Sequence, residues 1–337
     1  MSATGIPVLQ SDRPERAPRP MWIRTFLASP ILSIALTLAA MIVVGFVSLG
    51  TTFVAKSNLN IIGTSITVPL LLGSCSAYAL LSGVVDLSIG SNAGLSATLF
   101  AVMVVHHANP WLAAVGVLVL GASIGAFNAL VVVNFNASPI AATLGTLSML
   151  AGFQYVANGT GGSVQALIPS LYQFANVSVG PVPLVLVLVL GLVAIAAYIV
   201  AFTRIGRHVR AVGGDERAAL RAGISVNTIR RRALIVSGIG GALAGMLFIG
   251  QLGGTTNTLA SDAVFLVYAG LMIGGYSIIR GGVGSPAGGA MGLVVIAGVM
   301  DIVAAKSFNT YYTDVIVGGL LLLAVLVDRI KGGDIYE

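Results

Sequence analysis

Residues 182–202 read VPLVLVLVLGLVAIAAYIVAF and carry no charged side chain. A helix that crosses a membrane needs about 20 consecutive, mostly apolar residues. A strand of a transmembrane barrel instead alternates apolar and polar side chains over about ten residues. This run does not alternate, so it predicts a transmembrane helix.

The composition extends that prediction to most of the chain. Hydrophobic residues make up 57% of the 337 residues and charged residues only 8%, and the mean hydropathy is +0.99. Soluble domains carry roughly 25% charged residues, and disordered chains have low hydrophobicity. An ordinary soluble enzyme and a disordered chain are therefore both excluded.

Apolar segments of suitable length recur along the chain and predict about ten transmembrane helices. They cover residues 29–50, 59–82, 92–108, 111–133, 139–157, 182–202, 233–252, 261–279, 285–304 and 311–327. The 43 glycines suit close packing between membrane helices. The expected fold is an all-α polytopic membrane protein in which some helices are broken.

The basic residues predict the orientation of the spans. An even number of spans places both termini on one side of the membrane. With the N-terminus inside, all of the 17 Lys and Arg residues except Lys56 and Lys306 fall in inside segments, as the positive-inside rule requires. We therefore expect a basic cytoplasmic tail at 1–28, one transmembrane domain at 29–328 and a cytoplasmic tail at 329–337.

Two connections between spans are long. The predicted external loop, 158–181, contains no Lys, Arg, Asp or Glu. The predicted cytoplasmic loop, 203–232, holds eight of the 17 basic residues.

The cytoplasmic loop contains the signals of a short helix. Gly213 and Gly214 break the chain, and Asp215 is placed to cap the N-terminus of a new helix. Glu216 suits the positive end of the helix dipole, and Gly223 is a natural residue just past a helix end. About two turns of helix are expected between them.

The side chains of this short helix suggest a partner. Ala218, Ala219 and Ala222 are expected to share one face, with Arg217 and Arg221 on another. A short helix with a face of small residues is shaped to sit in a groove on another protein. The alternative is that the loop is only a basic anchor that fixes the orientation of the spans.

Asp86 lies between two apolar runs, where a carboxylate costs about 2.5–3.5 kcal/mol at a helix centre. Three roles remain open: a cap for the next helix, a substrate contact or a part of the coupling to an energy source. Asp262 precedes an apolar run in the second half in a similar way. The pair suggests a weak inverted repeat of broken helices, a feature of duplicated transporters.

The cytoplasmic loop resembles that of ATP-binding-cassette (ABC) importer permeases of the ribose/xylose/galactose type. The matching residues are Gly206-Arg207, the run AVGGDE at 211–216, Ala218-Ala219 and Gly223-Ile224. Asp215 and Ser225 stand where that family often has Asn. Further resemblances, in the family's order, are GVVDLSIGS at 83–91, NALV at 128–131, SPIAATLGT at 138–146, and GGYS at 274–277 with RGGVGS at 280–285.

The resemblance implies a permease subunit for a small sugar in a bacterial cytoplasmic membrane. It implies an ATPase subunit with two nucleotide-binding domains that bind ATP and Mg, a second permease chain, identical or different, and an extracytoplasmic sugar-binding protein. No nucleic-acid partner, metal or catalytic residue is expected. This chain holds no cofactor of its own, since neither Lys56-Ser57 nor Lys306-Ser307 follows the glycine that a phosphate-binding loop requires.

Two sets of residues follow from this interpretation. The residues expected to couple to the ATPase are Gly213, Gly214, Asp215, Glu216, Arg217, Ala218, Ala219 and Ala222. The residues expected along the substrate path are Asp86, Asn92, Asn128, Thr143, Gln154 and Phe265. The external loop 158–181 is the candidate docking surface for the binding protein.

Other functions remain as alternatives. A secondary transporter or channel would need buried charge pairs able to move ions, and few are seen. An intramembrane enzyme would need a nucleophile–base pair or paired metal ligands, and the single cysteine, Cys75, is interpreted as a packing residue. Within the importer class, autoinducer 2, nucleosides and branched-chain amino acids remain possible cargoes.

Overall fold

The computed structural model describes residues 30–308 and 311–333, and helices form most of this part of the chain. The predicted basic tail at 1–28 lies outside the described residues. The helices are α1 Pro30–Leu49, α2 Lys56–Leu81, α3 Ile89–Val105, α4 Pro110–Ala129, α5 Pro139–Asn158, α6 Pro169–Asn176, α7 Leu184–Phe202, α8 Arg204–Gly214, α9 Glu216–Arg221, α10 Val226–Leu252, α11 Ala263–Ile273, α12 Pro286–Ala305 and α13 Tyr311–Gly333. The strands are β1 Ser163–Gln165, β2 Ser178–Val179, β3 Val182–Pro183 and β4 Gly254–Thr256.

Seven of the described helices are long and apolar enough to cross a membrane, namely α1, α2, α4, α5, α7, α10 and α12. Two further apolar helices, α3 and α11, are shorter. The prediction of a polytopic helical membrane protein is confirmed.

Some predicted boundaries differ from the structure. The segment 261–279 forms only the 11-residue helix α11, because the chain turns at Gly274 and Gly275, where Gly275 has a φ of +89°. The connection to α12 is then non-helical from 274 to 285. At the C-terminus, α13 continues to Gly333, so the predicted boundary at 328 falls inside a helix.

Helix α10 is the central element and packs against α2, α3 and α4. Its contact with α4 depends on glycine. A Cβ atom added to Gly121 would lie 2.5 Å from the carbonyl oxygen of Gly238, and one added to Gly238 would lie 2.9 Å from the backbone nitrogen of Gly125. The backbones of these two helices therefore touch directly, as small residues at fourth positions allow in membranes.

Two non-helical segments interrupt the bundle, 82–88 between α2 and α3 and 253–262 between α10 and α11. They approach each other where α3 and α11 begin. A Cβ atom added to Gly90 would lie 2.9 Å from the carbonyl oxygen of Ala260 and 3.2 Å from the backbone nitrogen of Val264. Two short helices thus start next to each other inside the bundle, an arrangement consistent with the suggested inverted repeat of broken helices.

The uncharged connection 158–181 is structured. Strand β1 pairs with β4 in antiparallel register, with Ser163 opposite Thr256 and Gln165 opposite Gly254. Helix α6 packs against α10, where Gly250 faces Ala175. This connection therefore covers the end of the bundle at which α10 leads into the second non-helical segment.

The glycine contact between α4 and α10 leads to a stability prediction. Gly121→Ala should destabilise the fold by about 1–3 kcal/mol, because overpacking forces two backbones apart. Gly116→Ala on the same helix is the control, since its Cβ would meet only Met103 Cε at 3.6 Å. Thermal unfolding of the purified chain in detergent measures both, and equal melting temperatures for the two variants would contradict the packing argument.

Candidate functional site

The connection 203–232, here called the arginine-rich connection, begins with helix α8. The Thr203 hydroxyl caps it and accepts from the Gly206 N–H at 3.4 Å. Helix α8 runs through Gly213 and Gly214 and ends where Asp215 becomes extended (φ −150°, ψ 101°). The chain therefore breaks at Asp215, directly after the two glycines, and not at the glycines themselves.

Helix α9 forms between the caps that the sequence predicted. The Asp215 carboxylate accepts from the Ala218 N–H at 2.9 Å. At the other end, Gly223 has a φ of +76° and donates from its N–H to the Leu220 carbonyl at 3.0 Å. Both predicted caps are confirmed.

The predicted small-residue face of α9 is wrong in one position. Ala219 is only 2% exposed, because it packs against Val212 of α8 and Val226 of α10. Ala218 and Ala222 are exposed. Ala219 therefore anchors α9 to its own chain and is not available to a partner.

Leu220 of α9 is 56% exposed and was missing from the predicted coupling residues. The sequence held a signal for it, because Leu220 is the only large apolar side chain between Asp215 and Gly223. The exposed surface of α9 thus presents Arg217 and Arg221 opposite the buried Ala219, with Leu220 on one flank and the two alanines on the other.

An ion pair also connects α9 to α10. Arg230 Nη2 lies 2.8 Å from Glu216 Oε2, and their side chains are 23% and 47% exposed. Pairs this exposed contribute little stability. The cap at Asp215 and the burial of Ala219 therefore hold α9 more than this pair does.

Asp86 is 1% exposed and accepts three hydrogen bonds. Its Oδ1 accepts from the Ser88 N–H at 3.0 Å and the Ser88 hydroxyl at 2.6 Å, and its Oδ2 accepts from the Ser237 hydroxyl of α10 at 2.6 Å. Helix α3 has Ser88 at its N-cap position. Of the three roles left open for Asp86, that of a cap for the next helix is wrong, because the carboxylate closes a turn before that helix and reaches across to α10.

The backbone of the same segment is bound by side chains from other helices. The Tyr268 hydroxyl of α11 accepts from the Asp86 N–H at 2.9 Å and donates to the Asp86 carbonyl at 3.1 Å. The Thr143 hydroxyl of α5 accepts from the Leu87 N–H at 3.1 Å. Non-helical backbone inside a membrane protein needs such partners.

Asn128 joins this network. Its side-chain nitrogen donates to the Ser88 hydroxyl at 2.8 Å, and its side-chain oxygen accepts from the Thr146 hydroxyl at 2.7 Å. The structure therefore brings three predicted path residues, Asp86, Asn128 and Thr143, into one buried cluster, here called the Asp86 network (Asp86, Ser88, Asn128, Thr143, Thr146, Ser237 and Tyr268).

The other predicted path residues lie elsewhere. Asn92 is buried and donates to the Gly238 carbonyl at 2.8 Å. Gln154 is buried and donates to the carbonyls of Thr256 and Leu259 at 2.9 and 3.2 Å. Phe265 is 41% exposed. Five of the six side chains thus hold parts of the chain together in its packed interior.

The predicted substrate-path residues did not include four members of the Asp86 network, namely Ser88, Thr146, Ser237 and Tyr268. Each is a hydroxyl in an apolar run, a weak signal on its own. Ser237 and Tyr268 lie 151 and 182 residues from Asp86 in sequence. No local pattern links residues so far apart.

The chain is similar over most of its length to known transport proteins. The family model described as branched-chain amino acid transport system / permease component matches residues 58–325. The autoinducer 2 import system permease protein LsrC of Enterobacter sp. (strain 638) is 32% identical over 90% of this chain and 88% of its own length.

Two relatives from Escherichia coli (strain K12) show comparable similarity. The D-allose transport system permease protein AlsC is 29% identical over 82% of this chain and 85% of its own length. The ribose import permease protein RbsC is 29% identical over 87% of this chain and 92% of its own length. No solved structure shows significant similarity to the chain.

The family match spans the helices from α2 into α13, including the arginine-rich connection and the Asp86 network. The chain therefore belongs to the family of branched-chain amino acid transport system permease components, and it is a permease component of an ABC transporter that is not itself an enzyme.

Proposed function

We propose that this chain is the permease subunit of an ATP-driven importer that moves a monosaccharide into a bacterial cell. The similarity to the ribose and D-allose permeases supports a sugar as cargo. The similarity to the autoinducer 2 permease supports a second candidate of comparable strength. Family membership implies an ATPase and a binding protein as partners.

The proposed topology has ten crossings. The seven long helices supply seven, and α3, α11 and α13 supply the others, the first two together with their non-helical segments. Both termini and the arginine-rich connection then face the cytoplasm, in agreement with the distribution of basic residues. The structured connection with β1 and α6 faces outward and is our candidate docking surface for the binding protein.

The observation that carries the coupling proposal is the exposed side of α9. Leu220, Ala218 and Ala222 are exposed, while Ala219 is buried against the chain and the Asp215 carboxylate caps the helix. We propose that the ATPase subunit binds this side and moves α9 as it closes on ATP. Such a closing motion of a partner would switch the spans between two arrangements.

We propose a structural role for Asp86. Both carboxylate oxygens are occupied by hydrogen bonds from within the chain, and the side chain is buried. The predicted path residues Asn92, Asn128, Thr143 and Gln154 are buried and bonded as well. In our proposal the sugar path therefore lies between two paired permease chains.

The coupling proposal predicts that Leu220→Asp will remove the ATPase from the purified complex. A charge placed in the apolar centre of an interface should cost at least about 2 kcal/mol of binding, as hot-spot residues do. Leu167→Asp is the matched control, because Leu167 is 63% exposed in the connection on the opposite end. Co-purification of the ATPase with each variant is the measurement, and undiminished recovery with Leu220→Asp would contradict the coupling role.

The structural role of Asp86 predicts that Asp86→Ala will lower the yield of folded, monodisperse protein. The substitution leaves the Ser88 and Ser237 donors buried without an acceptor, at about 1–3 kcal/mol for each. Size-exclusion chromatography measures the yield, and uptake competition among sugars measures selectivity. A fully stable Asp86→Ala protein with altered selectivity would show that Asp86 contacts the cargo instead.

The cargo is tested by uptake into proteoliposomes that contain the permease, its ATPase and the binding protein. We expect ATP-dependent accumulation of D-ribose or D-allose and no accumulation of leucine or adenosine. Autoinducer 2 is included in the same assay. Accumulation of autoinducer 2 alone would reject the monosaccharide proposal, and accumulation without ATP hydrolysis would reject the importer class.

A further inference from the structure

Three backbone segments cross where α8 ends. They meet at four glycines, Gly83, Gly213, Gly281 and Gly282, here called the glycine junction. A Cβ atom added to Gly281 would lie 2.5 Å from the Gly213 carbonyl oxygen and 2.8 Å from both Gly213 Cα and Gly83 Cα. A side chain at Gly213, Gly281 or Gly282 would therefore overlap the backbone of a neighbouring segment.

Hydrogen bonds hold the glycine junction together. The Gly282 N–H donates to the carbonyl of Leu81, the last residue of α2, at 2.9 Å. Arg210 of α8 donates from Nη1 to the Gly282 carbonyl at 3.3 Å. Gly83 and Gly282 also have φ values of +78° and +76°, so both turns favour glycine.

Each of the three segments leads to a different element of the bundle. Gly213 lies two residues before Asp215, the cap of α9. Gly83 lies in the segment that carries Asp86 into α3. Gly281 and Gly282 lie in the connection that comes after α11, which carries Tyr268. The segment that carries Asp86 and the helix that carries Tyr268 are also joined to each other, through hydrogen bonds between the Tyr268 hydroxyl and the Asp86 backbone.

We infer that the glycine junction transmits the displacement of α9 to both broken helices, so that α3 and α11 move as one unit. This inference rests on the proposed function, in which the ATPase moves α9. Backbones in direct contact leave no side chain to absorb a small shift, and closely packed elements move between discrete arrangements rather than deforming. Gly213 and Gly214 lie in α8, before the Asp215 cap, and are not part of the surface of α9 that we propose the ATPase binds. Gly213 and Arg210 are therefore positioning residues in this account.

Adjacent glycines supply a matched test. A Cβ atom added to Gly213 would lie 2.5 Å from the Gly282 nitrogen, whereas one added to Gly214 would meet nothing within 4 Å. Gly213→Ala should therefore push the crossing backbones of the glycine junction apart. Gly214→Ala adds the same methyl group where it meets no neighbour. Arg210→Met is a milder variant that removes one hydrogen bond and keeps the length of the side chain.

The reporter is an exposed position in the non-helical segment 253–262, far along the chain from α9. Thr258 is exposed and is changed to cysteine in a Cys75→Ala background, so that a hydrophilic maleimide labels one site. Labelling rates of the full complex are compared without nucleotide and with ATP plus vanadate. Co-purification of the ATPase and the rate of ATP hydrolysis are measured in parallel.

We expect the nucleotide-dependent change in labelling to be lost in Gly213→Ala and reduced in Arg210→Met, and to be kept in Gly214→Ala, while all three complexes bind the ATPase and hydrolyse ATP. A merely structural defect would lower hydrolysis together with labelling. A nucleotide-dependent change that persists in Gly213→Ala overturns the inference. If Gly213→Ala does not fold, an unaltered change in Arg210→Met overturns it.

The same experiment distinguishes a failure of the proposed function from a failure of this inference. If the parent chain does not bind the ATPase at all, the coupling proposal is rejected and the inference falls with it. If the parent binds the ATPase and shows no nucleotide-dependent labelling, only the inference is rejected.

Discussion

The hydrogen bonds around Asp86 are the contacts on which the rest of the bundle depends. A helix that breaks inside a membrane exposes backbone N–H and C=O groups that lipid cannot satisfy. In the segment 82–88 those groups are met by the Tyr268 and Thr143 hydroxyls and by the Asp86 carboxylate. Because these partners come from α5 and α11, and the carboxylate in turn binds Ser237 of α10, the break itself fixes how these three helices sit around it.

Close backbone approach is the second requirement of the same architecture. The first turn of α3 meets the segment 253–262 at Gly90 and Ala260, and α10 meets α4 through Gly238. A bundle of bulky residues would separate these elements by the width of a side chain, and the Asp86 carboxylate would then not reach Ser237. Close packing at glycines and the buried polar network therefore act together to stabilise helices that are interrupted inside the membrane.

Features that depend on neighbours in sequence could be predicted, and features that depend on distant residues could not. The run 182–202 identified a membrane helix, and Asp215 and Gly223 identified the ends of α9, because hydropathy and capping are local properties. The short α11 was missed because the apolar character of 261–279 continues past the turn at Gly274. Ala219 was assigned to the wrong face because its burial depends on Val226 of another helix, and Asp86 was not linked to Tyr268 because 182 residues separate them.

In the proposed function, the distribution of polar side chains constrains where the sugar passes. A path for a polyhydroxylated cargo needs polar groups with free hydrogen-bonding capacity. Asp86, Asn128 and Gln154 have theirs committed to partners inside the chain, so opening a path through them would break the contacts that hold the broken helices. In our proposal a path between two permease chains avoids that cost, because each chain would move its broken helices as an intact unit. The polar interior of each chain would then stay rigid during transport, and the path would open and close at the surface where the two permease chains pair.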